Sequence, residues 1–65
     1  MISSREILRR LHRAGWRTDR QNGSHVQLVH PTISGLVTVP HPNRDIRIGT
    51  LRSIERQSGL TLRQF

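Results

Sequence analysis

Few side chains in this 65-residue chain can move a proton near neutral pH. It has no Lys, Tyr or Cys, and its eleven basic residues are all Arg, which stays protonated and serves as neither acid nor base. What remains is four histidines (His12, His25, His30, His41) and four carboxylates (Glu6, Asp19, Asp45, Glu55). The most pointed of these is His25 in Gly23-Ser24-His25, where a tight turn opens into an apolar strand. Neighbours in a strand face opposite sides. Ser24 and His25 are therefore poorly placed for the hydrogen bond that a Ser–His nucleophile pair requires.

An accessible His on an Arg-rich face suits one reaction that needs no protein nucleophile: cleavage of RNA by its own 2′-hydroxyl. The protein need only transfer protons, which a side chain with an ordinary pKa near ~6.5 does well. It must also stabilise the more negative phosphorane, a task for Arg and backbone N–H groups. Gly23, without a Cβ, lets RNA backbone come close. Local sequence equally allows His25 to be an ordinary exposed strand residue. His12 flanks the apolar stripe of the first helix and reads as surface. His30 precedes Pro31 at a strand end and reads as a turn cap. His41, in Pro40-His41-Pro42, reads as a solvated loop residue or as a second proton-transfer or phosphate group. The histidines lack zinc-motif spacing and there is no Cys, so a metal site is poorly supported. Asp19 and Asp45 read as surface partners of Arg. Thr50 reads as a simple helix start or as a phosphate contact at that start. Trp16 reads as core or a hydrophobic edge, and with aromatics so scarce, base stacking is a poor candidate for the binding mode.

The net charge of +7 and an isoelectric point near 12.0 favour a polyanionic partner, nucleic acid before an acidic protein or an anionic membrane. Guanidinium binds phosphate in a fork, which an all-Arg set exploits. No apolar run reaches the length of a signal peptide or membrane span, and the lack of Cys fits a reducing cytoplasm. The chain reads as one small domain, residues 1–65.

The elements that must position these residues follow from pattern. Ser3 and Glu6 fit a capping box, and Ile2 and Ile7 a hydrophobic staple. The first helix is predicted over residues 4–14, with Ile7, Leu8, Leu11 and Ala14 on one face and Arg5, Arg9, Arg10 and Arg13 on the other; Gly15 stops it. Strands are predicted over 16–20, 24–30 and 36–39. A tight turn at Gln21-Asn22-Gly23 joins the first two, and a Pro–Gly loop over 31–35 joins the next. Val26 and Leu28 point to the core, and His25, Gln27 and Val29 to the opposite face. After a polar loop a second helix starts near Thr50 and ends at Ser58, with Gly59 as its stop and Leu60 packing back on Ile54. Leu51, Ile54 and Ser58 form its inner stripe, and Arg52 and Arg56 lie on another side. Thr61 with Gln64 resembles a further capping box. The fold class is α+β, order α-β-β-β-α: a three-stranded antiparallel sheet with two helices on one face and the other face free for a partner.

Four segments in order also resemble the HicA family of toxin–antitoxin mRNA interferases: Arg13-Ala14-Gly15-Trp16, Gly23-Ser24-His25, Val37-Thr38-Val39-Pro40-His41, and Ile48-Gly49-Thr50-Leu51-Arg52-Ser53-Ile54, followed by Gln57 and Gly59-Leu60. The resemblance implies a double-stranded-RNA-binding-domain-like fold. It implies ribosome-independent and metal-independent mRNA cleavage with His25 as catalyst, no cofactor, and a HicB-like antitoxin covering the open sheet face around His25. Gly23, Ser24, Arg17, Arg20, His41, Thr50 and Arg52 complete the expected RNA- or phosphate-binding set. The sequence departs from the family's pattern at Gln21-Asn22, where members often carry Lys or Arg; Arg17 and Arg20 are the cations left to substitute. The fold and charge alone would also suffice for a non-catalytic RNA-binding module.

Overall fold

The computed structural model describes residues 2–62. Its elements are α1 (Ser4–Arg13), β1 (Arg17–Asn22), β2 (His25–Val29), β3 (Val37–Pro40) and α2 (Ile48–Ser58). The three strands form one antiparallel sheet in the order β1-β2-β3. This is the expected α-β-β-β-α order. The capping box expected at Thr61 depends on Gln64, which lies outside the described residues.

Helix α1 starts as its sequence dictates. Ser3 is extended, and its Oγ accepts the Glu6 N–H at 3.2 Å, satisfying one of the orphan donors of the first turn. The Glu6 carboxylate turns outward to Arg9 and Arg10. Ile2 and Ile7 are both buried, as a hydrophobic staple requires.

One core joins the layers. Ile7 and Leu11 of α1 meet Val26 and Leu28 of β2, Val37 and Val39 of β3, and Leu51 and Ile54 of α2. Both helices therefore cover the same sheet face. Each of these side chains contributes roughly 1.5–3 kcal/mol by leaving water. Trp16 belongs to the core and does not open β1.

All six strand ends, and the start of α2, fall one or two residues from the sequence expectation. β1 runs on through Asn22, so the β1–β2 loop is the pair Gly23-Ser24, closed by Asn22 opposite His25. Gly23 has φ +62° at the first loop position, the place where a two-residue hairpin needs a residue free of Cβ strain. β2 stops at Val29 because the His30 ring is engaged elsewhere: Nε2 lies 3.1 Å from the Ala14 carbonyl, and Nδ1 accepts the N–H groups of Thr32 and Ile33 at 3.1 and 3.2 Å. β3 includes Pro40. α2 begins at Ile48, two residues before the expected start, with Arg47 as an N-cap that makes no side-chain bond.

The outer edge of β3 is closed. The His41 N–H reaches the Ser24 carbonyl at 2.7 Å and so continues the β2–β3 ladder. By antiparallel alternation the backbone groups of Thr38 and Pro40 then point away from β2. The Thr38 N–H is taken by Gln57 Oε1 of α2 at 3.3 Å, and Pro40 has no N–H to offer.

Candidate active site on the open sheet face

Burial along β2 follows the alternation: Val26 and Leu28 are buried, Gln27 and Val29 half-buried, and His25 exposed. Residues directly opposite in a sheet share a face, with Cβ atoms about 4.5–5.5 Å apart. The register therefore builds three rows on the face the helices leave uncovered. Asn22, His25 and Pro40 form the row beside the turn; Arg20, Gln27 and Thr38 form the next; Arg17 and Val29 form the third.

A bulge decides which β1 residues stand in those rows. The register shifts between Thr18 and Arg20, leaving Asp19 without a partner in β2. Unbroken alternation would set Asp19 opposite Gln27 and Gln21 opposite His25. The extra residue sets Arg20 and Asn22 there, which brings Arg17 and Arg20 to the same face as His25. Sequence patterning puts Gln27 and Val29 on this face with His25, as observed, but misses Asn22, which it assigns to the turn. The bulge has no signature in residue type that would have revealed it.

Among the described residues no hydrogen bond holds the His25 ring, so both ring nitrogens are free for a ligand. Arg17 and Arg20 likewise have no carboxylate partner among those residues. The Glu6 carboxylate contrasts with them. Hydrogen bonds from Arg9 and then Arg10 pull its pKa down to about 2, so it is ionised at neutral pH and offsets part of the charge on α1.

The other histidines are engaged. His12 Nε2 lies 3.1 Å from Thr18 Oγ1, and His30 holds the α1–β1 joint as described. His41 Nδ1 lies 2.8 Å from Ser4 Oγ, which also accepts the Asn43 N–H at 2.9 Å. The Ser4 hydroxyl can donate to a bare His41 Nδ1 or accept from a protonated one, so the contact holds the ring without fixing its tautomer. His41 follows Pro40, which shares the His25 face, so its side chain lies on the helix side with buried Ser4. Thr50, half-buried, and Arg52, exposed, belong to α2 on that helix side as well. The arrangement thus joins His25, Gly23, Ser24 and, one row in, Arg20 at one end of the open face, with Arg17 two rows from His25 on the same face. His41, Thr50 and Arg52 stand across the sheet from them. No three His, Asp or Glu side chains cluster as metal ligands among the described residues. No helix is long and apolar enough to cross a membrane, again among those residues.

The comparisons bear on the whole chain. Residues 4–60 match the family model described as the HicA toxin of bacterial toxin–antitoxin systems. A chain of a solved HicA3 and HicB3 toxin–antitoxin complex superposes with a TM-score of 0.80 at 35% sequence identity, covering 94% of this chain and 98% of that one. No curated protein matches the sequence.

Proposed function

Since the chain belongs to the HicA toxin family of bacterial toxin–antitoxin systems, we propose that it is an endoribonuclease that cuts mRNA independently of ribosomes and metal, with His25 as its one proton-transfer residue. The observation that carries this reading is the open face itself. It presents one histidine, free of internal bonds, one row from Arg20 and two rows from Arg17 on the same face.

In the reaction His25 takes the proton of the ribose 2′-hydroxyl as the 2′-oxygen attacks the adjacent phosphorus. The bond from phosphorus to the 5′-oxygen breaks, and that oxygen takes the proton back from His25. The products are a 2′,3′-cyclic phosphate and a 5′-hydroxyl. Arg20 stabilises the charge that grows on the phosphoryl oxygens, and Arg17, two rows from His25, holds a neighbouring phosphate. Gly23 and Ser24 keep the approach low: nothing lies within 4 Å of the point where a Gly23 Cβ would stand. His41, Thr50 and Arg52 contact RNA phosphates beyond the scissile one. The side-chain bond of His41 to Ser4, across the sheet, supports a mechanism with a single histidine.

The partner is a HicB-like antitoxin that covers the face around His25; the HicA3 relative was solved together with HicB3. The work takes place in the cytoplasm, where the mRNA is. The test is cleavage of single-stranded RNA in EDTA. Wild type should cut it and spare a substrate with 2′-deoxyribose at the cut site. His25→Ala should lose cutting while keeping RNA binding and relieving growth arrest on expression. Binding without any cutting by wild type would sink the enzyme reading in favour of an RNA-binding module.

A further inference from the structure

On the helix side, at the same end of the sheet as His25, lies an open cleft of about 420 Å³ lined by Ser3, Ser4, Arg5, His41, Pro42, Asn43 and Arg44. We propose that this cleft is a second phosphodiester-binding subsite. It would hold RNA backbone that has passed His25 and turned around the end of the sheet, with Arg5 and Arg44 supplying the charge. The proposal rests on the RNA-cleaving reading above and extends it to residues outside the His25 face.

Three observations carry it. First, Arg5 and Arg44 are exposed, and among the described residues neither is tied to a carboxylate. Glu6 and Asp45, the acids next in sequence to Arg5 and Arg44, are not among the lining residues, and Glu6 is bonded to Arg9 and Arg10. Two guanidinium groups on one concave surface suit a phosphodiester. Second, Ser4 engages His41 at Nδ1, which leaves Nε2 without a partner among the described residues and open to a phosphate oxygen when it carries a proton. The amides of the first turn of α1 add little, since those of Ser4, Glu6 and Ile7 are already bonded to Asn43 and Ser3. Third, the two sites are close along the backbone. His25 is paired with Pro40 across β2–β3, so from interstrand and per-residue spacings the His41 Cα lies about 6 Å from that of His25. Only the small Gly23-Ser24 loop closes the sheet end between them. A chain of phosphates can therefore leave His25, round that end, and meet Arg5 and Arg44.

The experiment measures binding of the full chain to 2′-O-methyl oligoribonucleotides, which bind without being cut. One is long enough to reach both faces, and the other is a dinucleotide confined to His25. Arg5→Gln with Arg44→Gln removes two phosphate contacts. It should flatten the log–log salt dependence for the long oligonucleotide by about 1.4 and weaken its binding about tenfold near 0.15 M salt. Dinucleotide binding should not change. Arg13→Gln with Arg56→Gln removes the same charge outside the cleft, and should weaken the long oligonucleotide by less than about threefold. Equal losses in the two pairs, or no loss in the cleft pair, overturn the subsite. In either case cutting of unmodified RNA by wild type shows that the His25 reading stands alone. If wild type neither binds nor cuts RNA, both readings fall.

Discussion

Replacing Gly15 by Ala strikes the joint that carries the chain from α1 into β1. Gly15 has φ +99°, and a Cβ built on it would stand 2.8 Å from His30 Nε2. The backbone strain of a non-glycine residue there is about 1–3 kcal/mol. His30 must also withdraw, giving up its bond to the Ala14 carbonyl, worth about 0.5–1.5 kcal/mol net, and its edge contact with the Trp16 ring, whose centroid is 5.2 Å away. The combined loss is about 2–4 kcal/mol, against a total stability of roughly 3–10 kcal/mol for a chain of 65 residues. That predicts a fall in Tm of roughly 10–30 °C. The assay is urea and thermal unfolding followed by fluorescence of the single tryptophan. Gly35→Ala isolates the backbone share, since Gly35 has φ +95° with nothing within 4 Å of its built Cβ. His30→Ala isolates the collision. In that background Gly15→Ala should be about 1 kcal/mol milder, the coupling expected of residues in contact. Strict additivity of Gly15→Ala and His30→Ala would refute the collision.

Deleting Asp19 should be tolerated, because removing the bulged residue leaves Thr18 opposite Leu28 and Arg20 opposite Gln27; cooperative unfolding and RNA cutting should both survive, and loss of folding would contradict the register. Glu6→Gln should alter acid stability. The folded pKa of Glu6 is lowered to about 2, so its contribution is complete above about pH 4.5 and is lost as pH falls toward 2. The Tm difference between wild type and variant should accordingly shrink over that window; a difference independent of pH would show that the Arg9 and Arg10 contacts do not act through charge. Ser4→Ala leaves the Asn43 N–H and His41 Nδ1 without their shared partner at a buried position. It should cost about 1–3 kcal/mol in urea unfolding, and a change within error would show that water replaces the hydroxyl there.

Much of this was written in local sequence, and the exceptions have physical causes. The start of α1 was legible because Ser3, Glu6, Ile2 and Ile7 act within one turn of each other. The His25 face was legible because Val26 and Leu28 alternate with it along a single strand. The β1–β2 turn expected at Gln21-Asn22-Gly23 lies instead at Gly23-Ser24. Asn-Gly is the stronger hairpin signal, yet the chain uses Gly23-Ser24 and keeps Asn22 in the ladder. β1 carried no burial alternation, being exposed along its whole length, so nothing in its pattern could reveal the bulge at Asp19. α2 starts at Ile48 rather than near Thr50 with no capping side chain to mark the place, its glycine in the first turn tolerated because Leu51 and Ile54 anchor the helix in the core. The Ser4–His41 bond joins residues 37 apart in sequence, and no local rule reaches that far.

The closed edge of β3 also limits how copies of this molecule can join. Growth of a sheet from chain to chain consumes one strand edge on each side of every copy. With Thr38 held by Gln57 and Pro40 lacking a donor, β1 is, among the described residues, the edge where another strand can add. Two copies joined through β1 leave no open end, so pairing by strands stops at two. A fibre cannot grow strand by strand from a molecule with a single open edge.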